Sequence, residues 1–321
     1  MHEWTFEIGV RAPFRLDFTA WALRRRADNA VDRWDGRRYR RVLVLASRLV
    51  ELIVIQTGTS ANPRLEVTLA GDGVGEQEER AARAVLAPML GLETDLADFY
   101  RLAKSDASLY ELAARFRGLK PPRLPTLFEC LVNAIACQQL TLTVGIRLLN
   151  RLAAAYGPGP GGDGHAFPRP IDLASLQPEA LLPLGFSGAK ARSIVELATA
   201  ITTDGFRPDE VERLDDSAAL ARLLALRGIG RWSGEYVLLR GLGRLHVFPG
   251  DDVGARKNLA RHLGRQGPLD YASVAEAVQP WRPFAGLVYF HLLLANLEER
   301  GLLHAGDTTA SHRLPTRTAR R

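Results

Sequence analysis

The stretch LRGIGRWSGEYVLLRGLGRLHVFPGDDVGARKN, which runs from Leu226 to Asn258, decides the fold of this chain. It opens with the turn Gly228-Ile229-Gly230 and reaches two adjacent aspartates, Asp251 and Asp252, after a second helical pattern. Apolar residues at helical spacing lie on both sides of the glycines. The pattern predicts two helices joined by a tight turn, then a loop and a third helix that begins at the aspartates.

The glycine turn at residues 228–230 is typical of a phosphate-binding site. Glycine adopts backbone angles that other residues resist, and the N–H groups in the first turn of the next helix have no partner inside that helix. These groups and the helix dipole bind phosphate together, and Arg231 lies where it would add a contact. A plain turn between two helices also often contains glycine, so the turn alone leaves both interpretations open.

The aspartate pair also has two interpretations. One aspartate is enough to cap the helix that follows, which leaves the second free to face a cleft. A carboxylate near a helix N-terminus keeps its charge, and it can stabilise positive charge on a sugar ring and orient a water molecule. Glycosidic cleavage passes through such an oxocarbenium-like state. Asp251 and Asp252 therefore indicate helix capping or a catalytic site.

The rest of the chain divides at the proline-rich segment 118–126, where helices end. Before it, runs rich in Val, Ile and Leu over residues 39–58 and 64–71 predict strands. Patterns over 76–92 and 97–118 predict helices, the second with a break near Ser105. After it, the sequence predicts helices almost throughout, with a break near Gln138.

The fold class that follows is α+β. We expect a mixed α/β N-terminal domain, with a small antiparallel sheet and helices, followed by an all-α domain. The expected boundaries are residues 1–120 for the first domain, 121–304 for the helical domain and 305–321 for a disordered tail.

The charge of the chain favours a phosphate-bearing partner. The formal net charge is +6 at pH 7, and the arginine-rich segment 24–48 holds nine arginines against three aspartates. Residues 307–321 add four more arginines. A basic balance suits nucleic acid, although arginine-rich faces are often only solvated surface.

The cysteines and the apolar pattern exclude several classes of protein. Cys130 and Cys137 fall seven residues apart in a predicted helix, a separation of roughly 10 Å that is too long for a disulfide. Two thiolates cannot hold a four-cysteine iron–sulfur cluster, so we expect two small core residues.

No stretch approaches the ~20 apolar residues of a membrane span, and the N-terminus lacks a signal-peptide core, so we expect a cytoplasmic protein.

The stretch 226–252 resembles the helix-hairpin-helix and catalytic aspartate of the DNA base-excision glycosylase superfamily. It is most similar to the alkylpurine branch, the DNA-3-methyladenine glycosylase II enzymes. The segments GLKPPRLPTLFECLVNAIACQQLTLTVGIRLLNRLAAAYG, LGFSGAKARSIVELATAI and WRPFAGLVYFHLLLANL are similar to the family's first helical segment, the helix pair before the hairpin and the closing Trp-x-Pro helix. The N-terminal part is similar to the extra domain of the alkylpurine enzymes. The resemblance implies a helix-hairpin-helix glycosylase fold for the all-α domain.

The resemblance assigns roles to the residues of the opening stretch. Asp252 aligns with the catalytic aspartate, and Asp251 is its cap-like neighbour. Gly228, Ile229 and Gly230, with Arg231, are implied to bind a DNA phosphate. Trp232 stands where bifunctional members carry a lysine that forms a Schiff base, which tryptophan cannot form. The resemblance therefore implies a monofunctional enzyme without lyase activity.

Trp232 and Tyr236 are four residues apart and share one helix face. Packing in the core is the commoner fate of such a pair, whereas the resemblance implies that both line the base pocket. A base alkylated at N3 or N7 is cationic, and electron-rich rings attract cations. Such a base is also a good leaving group, so one carboxylate suffices.

A base that is cut must first leave the helix stack, and a side chain then fills the gap. The resemblance places Gln139 at that position, with Leu140 beside it.

His246 and His291 are expected to be structural. Val253, Ala285 and Gly286 stand where some relatives have other residues.

The function that the resemblance implies is release of alkylated purines, of the 3-methyladenine and 7-methylguanine type, from damaged double-stranded DNA in base excision repair. The expected protein is a monomer without a membrane, metal or cofactor, located with the nucleoid if bacterial. The question whether a monovalent cation binds at the contact between hairpin and phosphate stays open.

Two alternatives remain at this point. One is a non-catalytic helix-hairpin-helix DNA-binding protein. Asp252 argues against it, because a carboxylate that faces DNA repels phosphate and does not help binding. The other is a glycosylase for deaminated or oxidised bases. Trp232 in place of lysine and the missing iron–sulfur cysteines argue against its usual versions.

Overall fold

The computed structural model describes residues 2–159 and 164–303 of the chain. Its strands are β1 (His2–Gly9), β2 (Arg33–Trp34), β3 (Arg38–Leu45), β4 (Arg48–Gln56) and β5 (Arg64–Gly71). Its first helices are α1 (Leu16–Arg24), α2 (Glu76–Met89), α3 (Ala97–Ala103) and α4 (Ala107–Arg115). The later helices are α5 (Leu127–Cys137), α6 (Leu142–Tyr156), α7 (Pro170–Leu173), α8 (Gly188–Thr202), α9 (Pro208–Arg213), α10 (Asp216–Leu224), α11 (Arg231–Arg240), α12 (Val253–His262), α13 (Tyr271–Val278) and α14 (Ala285–Glu299). Short 3₁₀ segments span Pro178–Leu184 and Gln279–Trp281.

The strands form one antiparallel sheet in the order β1-β5-β4-β3-β2. Along β4, Val50, Leu52 and Val54 are buried while their neighbours are partly exposed, which is the alternation of a sheet with one covered face. A two-residue turn, Ala46 and Ser47 with φ of 46° and 69°, joins β3 to β4 and suits the twist of a hairpin. The predicted α+β class with a small antiparallel sheet is confirmed.

Both predicted helix breaks are present. The first falls between α3 and α4, where the Asp106 side chain accepts a hydrogen bond from Leu109 N. The second falls between α5 and α6, where Thr141 caps α6 through Val144 N. Side-chain caps of this kind contribute about 1 kcal/mol each, so short polar residues define where these helices begin.

Helix α11 lies between two hydrophobic cores. The first core joins the sheet to α5, α6 and α8, and the second joins α1, α3 and α4 to α12 and α14. Val237 belongs to the first core and Leu239 to the second, and every residue from Ser233 to Arg240 is buried. Each core combines residues from before and after position 120, and the division into two domains there stays a prediction.

Most arginines of the segment 24–48 are buried or form ion pairs within the protein. Arg24, Arg25 and Arg41 are buried. Arg41 pairs with Asp32 and with Glu129 of α5, at 2.6 Å and 2.5 Å. Three further arginines pair with carboxylates: Arg26 with Asp28, Arg33 with Glu51 and Arg48 with Glu78. Six of the nine arginines of this segment are therefore buried or paired within the protein.

Cys130 and Cys137 are free thiols, as the spacing predicted. Within residues 2–159 and 164–303, no helix is both long enough and apolar enough to cross a membrane. The tail expected to be disordered, residues 305–321, lies outside the described residues.

Candidate active site

The glycine turn (residues 228–230) joins α10 to α11, so the predicted helix-hairpin-helix is present. Gly228 has a φ of +77°, and a Cβ there would lie 2.5 Å from Ser193 Oγ. Ile229 is buried and anchors the turn in the first core. Gly230 is the N-cap of α11, and no side chain caps that helix. The first N–H groups of α11 are therefore free of a side-chain cap.

The prediction that both glycines need special backbone angles is correct for Gly228 and wrong for Gly230. Gly230 has extended backbone angles, φ −99° and ψ −177°, that any residue adopts. A Cβ at Gly230 would meet no atom within 4 Å. The protein's own packing therefore requires glycine at the first position of the turn and leaves open space at the last.

The two aspartates have different partners. Asp252 is the N-cap of α12, and its Oδ1 accepts a hydrogen bond from Ala255 N at 2.8 Å. Its Oδ2 accepts one from Trp232 Nε1 at 3.3 Å. Asp251 pairs instead with Arg231, at 2.6 Å, and with Arg256. The prediction that Asp251 is the cap-like neighbour is wrong, because Asp252 caps with one carboxylate oxygen and keeps the other for a second contact.

Arg231 is engaged within the protein. Its Nε donates to Asp251 Oδ2 at 2.7 Å, and its guanidinium lies 3.9 Å from the centre of the Tyr271 ring. About half of the side chain is exposed. Its predicted contact with DNA phosphate stays a prediction, and a phosphate would have to share this arginine with Asp251.

Glu235 of α11, which no sequence pattern indicated, holds the aspartate loop (residues 248–252) through a hydrogen bond to Gly250. Glu235 Oε2 accepts from Gly250 N at 3.0 Å, and Oε1 accepts from Tyr271 Oη at 2.5 Å. Burial raises the pKa of Glu235, and the hydrogen bond to Glu235 raises the pKa of Tyr271 to about 12. Arg256 Nε donates to Gly250 O at 2.5 Å. The loop is thus fixed by side chains from three helices.

Trp232 and Tyr236 share one face of α11, as predicted. Their ring centres are 5.5 Å apart. Trp232 is half-buried, whereas Tyr236 is only 2% exposed. Because the indole Nε1 of Trp232 reaches Asp252, the two rings and the carboxylate belong to one site.

Arg25 and Asn133 lie behind this pair. Arg25 Nη1 donates to Tyr236 Oη at 3.0 Å, and Nη2 donates to Asn133 Oδ1 at 2.7 Å. Tyr236 Oη also donates to Asn133 Oδ1, at 3.0 Å. Arg25 is separated from these partners by 211 and 108 residues along the chain, so no local pattern in the sequence could have found it.

Tyr289 of α14 also lies near Asp252, and no sequence pattern indicated it. It is half-buried, and its ring packs on Phe248 of the aspartate loop at 5.7 Å between ring centres. Burial raises the pKa of Tyr289, and the charge of nearby Asp252 raises it further. Trp232, Tyr236, Phe248 and Tyr289 are called the aromatic cluster below.

The break between α5 and α6 lies against the glycine turn. Gln138 Nε2 donates to Gly228 O at 2.6 Å and to Ser233 Oγ at 2.8 Å. Gln139 has a φ of +53°, and both it and Leu140, which is 43% exposed, point their side chains to solvent. The two predicted gap-filling residues are thus accessible, while Gln138, which was not predicted, ties the break to the hairpin.

The two histidines fit the structural roles expected of them. His246 contacts the Asp216 carboxylate. His291 is buried, its Nδ1 lies 2.9 Å from Leu287 O, and burial lowers its pKa to about 4.

Comparison with known proteins gives a consistent set of relatives. A sequence model of the HhH-GPD superfamily of base excision DNA repair proteins matches residues 132–283. A DNA-3-methyladenine glycosylase of Bacillus subtilis is 29% identical over 206 residues, which are 63% of this chain and 67% of that protein. DNA-3-methyladenine glycosylase 2 of Escherichia coli is 31% identical over 182 residues, which are 56% of this chain and 62% of that protein.

A solved structure shares most of the fold. The 3-methyladenine DNA-glycosylase from Archaeoglobus fulgidus matches with a TM-score of 0.79 at 25% identity, over 93% of this chain and 100% of that one. The alignments to the two sequence relatives span about two thirds of their length or less.

Proposed function

Because a model of the HhH-GPD superfamily of base excision DNA repair proteins matches residues 132–283, we propose that the chain is a monofunctional DNA glycosylase that acts on alkylated purines. Bases of the 3-methyladenine and 7-methylguanine type are released, and an abasic site remains. The observation that carries this proposal is the position of Asp252, whose carboxylate touches the indole of Trp232 at the edge of the aromatic cluster.

Asp252 is the proposed catalytic residue. Its carboxylate stabilises positive charge on the deoxyribose as the glycosidic bond breaks, and it orients the attacking water. The cap contact to Ala255 N and the indole N–H of Trp232 hold both oxygens in fixed directions. A fixed charge stabilises the transition state without the reorganisation that solvent would need.

The aromatic cluster is the proposed base pocket. A flipped purine packs against the half-buried ring of Trp232, with the buried ring of Tyr236 beside it, and these electron-rich rings attract an alkylated, cationic base. Trp232 also supports the absence of lyase activity, since its indole cannot form a Schiff base with the sugar. The strand therefore stays intact after the base leaves.

The DNA partner is double-stranded, and we propose that a monomer binds it. The N-terminus of α11 and the glycine turn bind a phosphate through backbone N–H groups, with a monovalent cation as an optional bridge. Gln139 and Leu140, exposed at the break between α5 and α6, enter the gap left by the flipped base.

Asp252→Asn tests the proposal with little risk to the fold, because asparagine caps helices as well as aspartate does. We expect it to bind DNA normally and to lose release of 3-methyladenine from methylated duplex DNA by a factor on the order of 10² or more. Asp270→Asn is the matched control. Asp270 caps α13 through Ser273 N at 2.8 Å, the same contact at the same distance, and its variant should release bases at the normal rate.

The same assay separates the alternatives. Undiminished release by Asp252→Asn would show that another residue carries the chemistry. Binding without release by the unaltered protein would favour the non-catalytic binder. Strand cleavage without added alkali would contradict the monofunctional assignment.

A further inference from the structure

The break between α5 and α6 (residues 138–141) is anchored at both ends, although its middle is exposed. Gln138, at the end of α5, is half-buried, and Thr141 caps α6. Between them Gln139 and Leu140 are exposed, and Gln139 has a φ of +53°. A residue other than glycine keeps such backbone angles only where its surroundings hold it there. The exposed part of the break therefore depends on its anchors.

Gln138 connects the break to the glycine turn and to α11. Its side-chain amide donates to Gly228 O at 2.6 Å and to Ser233 Oγ at 2.8 Å, so both of its N–H bonds are used. Ser233 is only 1% exposed and lies in the first turn of α11. One amide group thus joins the break to both sides of the hairpin.

Lys190 of α8 holds the same junction from the other side. Its Nζ donates to Ala136 O at 3.0 Å and to Gln138 O at 2.8 Å, at the end of α5, where carbonyl groups have no partner inside the helix. A cation is also favourable at this end of a helix. Helix α8 supports the turn as well, because Ser193 lies against Gly228 and leaves no room for a Cβ there. The break and the turn therefore share one support.

We propose that Gln138 and Lys190 are positioning residues for base flipping: they hold the break rigidly against the glycine turn, so that Gln139 and Leu140 are set to fill the gap before DNA is bound. This rests on the proposed function, in which the turn binds a phosphate and the two exposed side chains enter the duplex. Because Gln138 joins the two sites, docking of the turn on the DNA backbone also sets how far the break reaches into the base stack.

A rigid break makes extrusion of a base easier. The extruded base loses its stacking and pairing, and the side chains that enter the gap replace part of these contacts. A loose break would have to be ordered at the same moment, and that loss of backbone freedom opposes extrusion. The benefit is largest for a base that is paired in an intact duplex. It is smaller when the opposite base is absent, since an unpaired base leaves the stack more easily.

Gln138→Met tests the proposal, because methionine has a similar length but no N–H group to donate. The substrates are two duplexes with one 7-methylguanine, which lies opposite cytosine in the first and opposite an abasic-site analogue in the second. Base release is followed with enzyme in excess. We expect release to fall roughly 10-fold opposite cytosine and by less than about threefold opposite the abasic-site analogue. Lys190→Met should show the same dependence on the opposite nucleotide.

Hydrogen exchange in the absence of DNA measures the rigidity of the break directly. Backbone amides in segments that open more often exchange faster. Peptides that cover residues 138–141 should exchange faster in Gln138→Met than in the unaltered protein, whereas peptides from α14 should exchange at the same rate in both.

Gln56→Met is the matched control. The side-chain amide of Gln56 also donates to two oxygens, Phe14 O at 3.2 Å and Gly58 O at 3.3 Å. Gln56 ends β4 and has no part in the proposed site. Its variant should release 7-methylguanine from both duplexes at the rates of the unaltered protein.

Equal losses on both duplexes in Gln138→Met would overturn the proposal and leave Gln138 a structural residue. An unchanged rate opposite cytosine, or unchanged hydrogen exchange of the break, would overturn it as well. If Gln138→Met does not fold, Lys190→Met decides by the same comparison. In each of these cases release by the unaltered protein leaves the glycosylase proposal standing, whereas no release from either duplex contradicts the proposed function itself and this proposal with it.

Discussion

The aspartate loop and the glycine turn both adjoin the first turn of α11, yet they are built in opposite ways. Side chains fix the loop: Glu235 and Arg256 hold Gly250, while Arg231 and Arg256 hold Asp251. The turn is formed from backbone, with no side-chain cap on α11 and open space beside Gly230.

The difference matches two kinds of chemistry. A carboxylate that stabilises a transient charge must be held in one position, since a shift of about 1 Å can lose a hundredfold in rate. A site that receives a phosphate needs bare N–H groups and room for a bulky anion. Loss of a charge in the loop is therefore expected to lower the rate of base release. Addition of a methyl group in the turn is expected to affect stability or phosphate binding.

The largest effect is expected in the loop. Asp251→Asn removes the charge between Arg231 and Arg256 and loosens the residue next to Asp252. We expect base release from methylated duplex DNA to fall roughly 10- to 100-fold, measured with enzyme in excess. Asp98→Asn, which breaks an exposed ion pair with Arg101, controls for the loss of one negative charge. An unchanged rate in Asp251→Asn would mean that the contacts of Glu235 and Arg256 with Gly250 are enough to hold the loop.

A smaller effect is expected on stability at the first position of the turn. Gly228→Ala forces alanine into a φ of +77° and against Ser193 Oγ. This strain should lower the free energy of unfolding by about 1–2 kcal/mol, as measured by urea denaturation. A stability equal to that of the unaltered protein would show that the turn relaxes without cost.

The smallest effect is expected at the last position of the turn. In Gly230→Ala the new methyl group meets no protein atom within 4 Å, so the free energy of unfolding should change by less than about 0.5 kcal/mol. A phosphate that approaches the N–H groups of α11 would meet that methyl group, and the dissociation constant for DNA should rise about threefold. Normal binding would place the phosphate elsewhere.

Local patterns were enough to predict much of this molecule. Gly228 and Gly230 between two apolar helices predicted the hairpin, and the polar residues near Ser105 and Gln138 predicted breaks between helices. The four-residue spacing of Trp232 and Tyr236 placed both rings on one face. In each case the cause lies within a few residues of the feature.

Features that depend on distant partners were missed. Strand β1 was not predicted, because it is completed by pairing with β5, where Thr5 faces Thr68. The arginine-rich segment resembled a solvated face, yet Arg41 reaches a carboxylate 88 residues away. Asp251 and Asp252 look alike in the sequence, and their partners in the fold distinguish them: Asp251 pairs with Arg231 and Arg256, whereas Asp252 contacts Trp232.

The ion cluster of Arg41, Asp32 and Glu129 limits how this chain can be shortened. Glu129 is buried on α5, and the cation that neutralises it comes from β3. A fragment that begins at residue 121 would carry this carboxylate against an apolar core with no counter-ion, which is costly to folding. Strand β3 thus supplies the counter-ion of a buried carboxylate in the helical half. Any shortened version of the protein must therefore retain β3 or replace Glu129 as well.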